Sequence, residues 1–134
     1  MGIDKDKVAK EALRFIQRGQ YQKAIDEYRR VLASDSRDIR TRLKLVDLYG
    51  RVGNTKEAID QCLQVAESYS DQGFYLKAIA VYKQALRIDP QSPPLYRAVG
   101  ELYVKQGLIG DALAAFMRAV DLLRQAGAPS EAEA

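Results

Sequence analysis

Seven stretches of the chain place apolar residues at helical spacing, and short polar or glycine-bearing breaks separate them. In the first, Val8, Ala12, Phe15 and Ile16 share one face, which predicts a helix from Asp4 to about Gln17. Asp4 or Asp6 can cap it, because a short carboxylate accepts from the free N–H groups of a first turn. The second runs from Lys23 to Ser34 and buries Ala24, Ile25, Tyr28, Val31 and Leu32. Ser34-Asp-Ser-Arg-Asp is turn chemistry, and a third helix from about Asp38 to Val52 buries Leu45, Val46, Leu48 and Tyr49. The fourth, Lys56 to about Asp71, carries Ala58, Ile59, Cys62, Val65, Ala66 and Tyr69. The fifth, Lys77 to Ile88, carries Ala78, Ile79, Tyr82, Ala85 and Leu86, and stops where Pro90 disfavours helix at Asp89. Ser92-Pro93-Pro94 opens a sixth, with Pro in the first turn where no donor is lost, and Gly107 closes it. A seventh spans Gly110 to about Gln125. The predicted class is all-α, an antiparallel helical repeat of about seven helices. Residues 1–126 form the helical domain and 127–134 a disordered polar tail.

The breaks are themselves periodic. Gly19-Gln-Tyr-Gln-Lys-Ala24 is echoed by Gly53-Asn-Thr-Lys-Glu-Ala58, by Gly73-Phe-Tyr-Leu-Lys-Ala78 and by Gly107-Leu-Ile-Gly-Asp-Ala112. Gly19 to Gly53 is 34 residues, Gly73 to Gly107 is 34 again, and Gly53 to Gly73 is 20. Self-similarity at this period signals stacked supersecondary units, none able to bury its apolar face alone. The short central step is one helix and its turn too few. The fourth helix therefore serves two repeats at once: the second helix of one and the first of the next.

These residues resemble the tetratricopeptide repeat, a helix–turn–helix unit of 34 residues. The first unit supplies Val8, Ala12, Phe15, Ala24, Tyr28 and Val31; the second Leu45, Val46, Tyr49, Ala58, Cys62 and Val65. The third is anchored by Ala78, Tyr82, Ala85 and Pro90. The last supplies Tyr96, Val99, Gly100, Tyr103, Ala112, Phe116 and Ala119. Cys62 in an aromatic slot, the absence of Trp, and the irregular centre depart from the pattern. The likeness is to bacterial multi-repeat members of the family. It implies a non-catalytic scaffold that binds a peptide or helix of another protein in a repeat groove.

Composition narrows the chemistry. The net charge is +3 with acids and bases interspersed, which speaks against nucleic acid, where a clustered basic face is needed. There is no His, which removes the commonest general base and metal ligand. Carboxylates are scattered over polar faces, and the glycines end helices rather than cradle phosphates. The expectation is no enzyme, and no catalytic, cofactor-binding or metal-binding residue. No apolar run approaches the roughly 20 residues a membrane span needs, and MGIDKDKVAK has no signal-peptide core. With a lone Cys62, the expected setting is the cytoplasm.

Arg37, Arg40, Lys44, Asp47 and Arg51 recur at three- and four-residue steps on the third helix. They read either as a solvated face, with Asp47 pairing Lys44 or Arg51, or as a groove wall. The family resemblance implies the wall. By its register the partner-binding positions are Leu13 and Gln17 in the first unit, with Ile16 beside them. They are Arg40, Lys44, Asp47 and Arg51 in the second, with Leu43, and Arg97, Glu101 and Lys105 in the fourth. The Lys/Asn clamp of the family's chaperone-tail binders is missing, since Ala9 and Leu13 hold its first-unit slots. The basic wall favours an acidic or carboxylate-bearing segment. The alternative is self-assembly, a homo-oligomer stacking through exposed repeat ends. Leu113, Val120, Leu122 and Leu123 on the seventh helix are the expected self-association residues.

Overall fold

Four turns are built alike. Gly19, Gly53, Gly73 and Gly107 have φ of 72°, 77°, 81° and 76°, a left-handed conformation that glycine adopts without a Cβ penalty. After each, the next backbone N–H reaches back to a carbonyl inside the helix: Gln20 to Phe15, Asn54 to Tyr49, Phe74 to Tyr69 and Leu108 to Tyr103, all at 2.8–2.9 Å. Each turn closes the last carbonyls of one helix and aims the next antiparallel to it.

The computed structural model describes residues 2–127. The helices are α1 (Lys5–Gln17), α2 (Tyr21–Ser34), α3 (Ile39–Arg51), α4 (Thr55–Asp71), α5 (Tyr75–Ile88), α6 (Pro93–Lys105) and α7 (Ile109–Gln125). Among the described residues there is no strand, so the all-α antiparallel helical repeat stands. Asp4 is the N-cap of α1, Asp38 of α3 and Ser92 of α6. Each accepts from the N–H three residues on. The expected starts at Lys23 and Lys77 were two residues late. Glycine and one following residue suffice for the turn, so Tyr21 and Tyr75 are already helical. Of the expected disordered tail, residues 128–134 lie outside the described residues.

The chain divides into two compact units, Met1–Val65 and Ala66–Ala134. The division falls inside the uninterrupted helix α4, where the sequence assigns one helix to two repeats. In unit 1, α2 packs on α1 and on α3; in unit 2, α6 packs on α5 and on α7. The core of unit 1 is Ala12, Ile25, Val31, Leu45, Val46, Leu48 and Cys62; that of unit 2 is Ala78, Ile79, Ala85, Leu95, Val99 and Ala112.

The same parts recur 54 positions apart, the sum of one full and one short period. The Asp38 carboxylate accepts from Thr41 N–H at 3.1 Å, and the Ser92 hydroxyl from Leu95 N–H at 3.4 Å. Arg42 donates to the Ser36 carbonyl at 2.8 Å, and the Tyr96 hydroxyl to the Pro90 carbonyl at 3.2 Å. Lys23 sits 5.8 Å over the Phe15 ring, and Lys77 sits 5.7 Å over the Tyr69 ring. Phe15 is on α1 and Tyr69 on α4, so the end of α4 does in unit 2 what α1 does in unit 1.

Candidate functional site

α1, α2 and α3 enclose a groove of about 710 Å³ in unit 1. Its apolar lining is Ala9 of α1, Tyr28 and Val31 of α2 and Leu43 of α3. Lys5 and Asp6 line it from the first turn of α1, and Asp38, Arg40, Thr41, Lys44 and Asp47 from α3 and its cap. The four-residue step from Arg40 to Lys44 keeps both cations on one side of α3, and both are exposed.

The charges divide into spent and available. Lys5 Nζ donates to Asp35 Oδ2 at 2.8 Å and lies 2.9 Å from Asp38 Oδ2. The Asp35 hydrogen bond leads in holding Lys5 above its ordinary value, with Asp38 next. Asp35 is held low by the Lys5 bond and then by the Arg37 N–H. At Asp38 burial pushes the carboxyl up, but Lys5 and the Thr41 N–H together outweigh it and the net direction is down. Asp47 is also engaged. Arg51 Nε donates to it at 3.1 Å, and the Arg51 guanidinium stacks 5.5 Å from the Tyr21 ring centre. Arg40 and Lys44 form no ion pair among the described residues.

Of the positions expected to bind a partner, Arg40, Lys44 and Asp47 are brought together at this groove, with Leu43. Leu13 is 52% exposed and Gln17 is exposed on α1, but neither lines it. Arg51 sits a turn beyond, closing over Tyr21. In unit 2, Arg97, Glu101 and Lys105 lie exposed along α6, and Lys105 caps the Tyr75 ring at 5.3 Å as Arg51 caps Tyr21. Glu101 adds to the burial that raises the Tyr82 hydroxyl. Sequence reasoning missed Lys5 and Asp6 as groove residues and took Asp38 only as a cap. The spacing of Asp35 and Asp38, one helical turn apart at the α2–α3 turn, was the signal for a cation from a neighbouring helix.

On α7, Leu113 is 58%, Val120 43% and Leu123 46% exposed, whereas Leu122 is 5% exposed. Leu122 is therefore a correction. It falls on the same face as Ala112, Ala115 and Ala119, which is buried, and Met117 rather than Leu122 completes the exposed strip. Cys62 is buried in unit 1. Among the described residues no group of three or more His, Cys, Asp or Glu could hold a metal ion. No helix there is long and apolar enough to cross a membrane.

Two family profiles match this architecture: one described as tetratricopeptide repeat over residues 10–72, the other as TPR repeat over residues 66–107. The chain belongs to the tetratricopeptide-repeat family. The two matches overlap only within residues 66–72, the end of α4 and the residue after it, where both repeats claim the helix. Repeats of this family are in general non-catalytic and serve protein interaction. Among solved structures, a crystal structure of MamA is similar at 18% identity and TM-score 0.47, covering 91% of this chain and 80% of that one. MamA from AMB-1 is similar at 22% identity and TM-score 0.45, covering 90% and 79%. A double mutant of MamA from RS-1 is similar at 16% identity and TM-score 0.46, covering 93% and 78%. No curated protein matches the chain.

Proposed function

We propose that this tetratricopeptide-repeat chain is a non-catalytic scaffold, in a cytoplasmic setting, that captures an acidic, extended segment of a partner protein in the unit 1 groove. The observation that carries the reading is the division of charge there. Lys5 and Arg51 are held by carboxylates of the chain itself, while Arg40 and Lys44 stand over an apolar floor with their donors open. A partner carboxylate would gain charge-assisted hydrogen bonds from them, and its apolar neighbours would cover Tyr28, Val31 and Leu43. Asp6 and Asp47 also bound the site and repel like charge, so the partner's carboxylate is confined to the stretch beside Arg40 and Lys44.

Peptide display on the immobilised chain tests this, with Arg40→Glu plus Lys44→Glu as counter-target. Both residues are exposed, so the double variant should keep its fold, which circular dichroism checks. Acidic peptides should be enriched on the parent and lost on the variant. Neutral or basic winners, or acidic winners that the variant retains, would return this face to a solvated surface.

A further inference from the structure

α2, α5 and α7 each follow one of the glycine turns, and their side chains can be matched position by position. Six residues after the glycine stand Ile25, Ile79 and Leu113; they are 0%, 4% and 58% exposed. The first two are covered because the next helix, α3 or α6, packs against α2 or α5. Ten residues after the glycine stand Arg29, Lys83 and Met117. Thirteen after it stand Leu32 and Leu86, both half-buried, and Val120, 43% exposed. Thus α7 repeats the apolar face of its counterparts, replaces their cation by Met117 (58% exposed), and among the described residues has no following helix upon it.

The helices that cover the equivalent faces state what fits. α3 and α6 present Thr41, Leu45 and Leu48, and Leu95, Val99 and Leu102, all buried, at i, i+4 and i+7, with a tyrosine at i+8. The matching residues of α1 are Lys7, Glu11 and Arg14, so α1 of a second copy cannot supply that stripe and end-to-end stacking has no apolar match. The strip from Ile109 to Leu123 is about 21 Å long at 1.5 Å per residue and one helix wide. Its projected footprint is on the order of 200 Å², and even two to three times that in accessible surface stays below the roughly 800 Å² each partner of a stable dimer buries. It suits a single helix.

We infer that the exposed face of α7 docks one amphipathic helix of a partner, bearing aliphatic residues at i, i+4 and i+7 and an aromatic at i+8, continuing the α2–α3 and α5–α6 interfaces. A fluorescent peptide of residues 92–106, the α6 sequence with its Ser92 cap, is the probe. It should bind the full chain saturably by anisotropy. Leu113→Glu plus Val120→Glu should weaken it by on the order of tenfold or more, since a few buried apolar anchors dominate such contacts. The single Met117→Glu should weaken it too, which keeps the test sound if the double variant folds poorly. Arg40→Glu plus Lys44→Glu should leave it unchanged, separating this site from the groove. No saturable binding, or binding indifferent to the α7 variants, overturns the inference. So does a dimer in light scattering that the α7 variants abolish, because the strip would then belong to a second copy.

Discussion

Val46 and Cys62 in unit 1 stand where Gly100 and Phe116 stand in unit 2. Unit 1 puts the larger group on its third helix and the smaller on the fourth; unit 2 reverses the two. A Cβ built on Gly100 would come within 2.6 Å of the Phe116 ring, so in unit 2 the aromatic occupies the space that a side chain holds in unit 1. A second exchange runs alongside. In unit 1 the buried Gln61 accepts from Arg42 at 2.8 Å, whereas unit 2 has Ala115 and Tyr96 at those positions. Arg118 lies over the Tyr96 ring at 6.0 Å. The comparison teaches that the repeat constrains the summed volume and the polar satisfaction of a helix pair, not the identity at either position.

The sharpest way to break the comparison is Gly100→Val. It gives unit 2 the third-helix residue of unit 1 without the small partner. Overpacking against a ring costs about 1–3 kcal/mol, and this site should lie at the upper end, because the nearest atoms belong to a rigid aromatic. Adding Phe116→Cys rebuilds the unit 1 pair and should recover most of the loss. A double-mutant cycle in urea should therefore give a favourable coupling of about 1–3 kcal/mol. Additive losses would mean that the two pairs are not exchangeable.

A smaller effect separates Ala58 from Ala112, the same slot in α4 and α7. They are 0% and 2% exposed. Close approach of the paired helix dictates a small side chain at both, and Ala58→Leu should cost about 1–3 kcal/mol by urea unfolding. Ala112→Leu should cost less, because α7 has an open outer face and can move away from α6. Equal losses would show that the open face gives no freedom.

Helix order, the four glycine turns and the double use of α4 were legible in the sequence because each is set by local rules. Glycine at a left-handed position, a short polar cap and a 3.6-residue stripe act within a few residues of one another. The groove was legible on one side only. Arg40, Lys44 and Asp47 announce themselves by spacing along a single helix, but the placement of Lys5 on Asp35 and Asp38 depends on how the α1–α2 hairpin brings the first turn of α1 to the α2–α3 turn. No periodicity within one helix encodes that meeting. Leu122 failed for a related reason. Four consecutive residues, Val120 to Leu123, hold three aliphatics, and only packing against α6 selects the one that turns inward.

The smallest effect concerns the two helix caps. Asp38→Ala and Ser92→Ala each remove a side-chain acceptor from a first turn, and each should cost about 1 kcal/mol at neutral pH. Acid should separate them. The carboxyl groups of Asp35 and Asp38 are both held below their ordinary range in the folded chain, whereas the unfolded chain titrates near pH 3.9. A depressed folded value means that the unfolded state takes up protons first. The ionised pair therefore contributes fully above the unfolded value, and the contribution is lost as the pH falls through the folded values. Lys5, whose folded value is raised, contributes below its unfolded value and stops doing so only as the pH climbs through the folded one, so it stays charged throughout the acid range. The penalty for Asp38→Ala should shrink between about pH 7 and about pH 2, and that for Ser92→Ala should stay constant, since serine has nothing to titrate there. Added salt should shrink part of the Asp38 penalty too, because Lys5 is exposed and Asp35 half-exposed, and their attraction is screened. Parallel penalties across the acid range, measured by urea unfolding at each pH, would reduce Asp38 to a cap equivalent to Ser92 and remove the electrostatic difference between the two units.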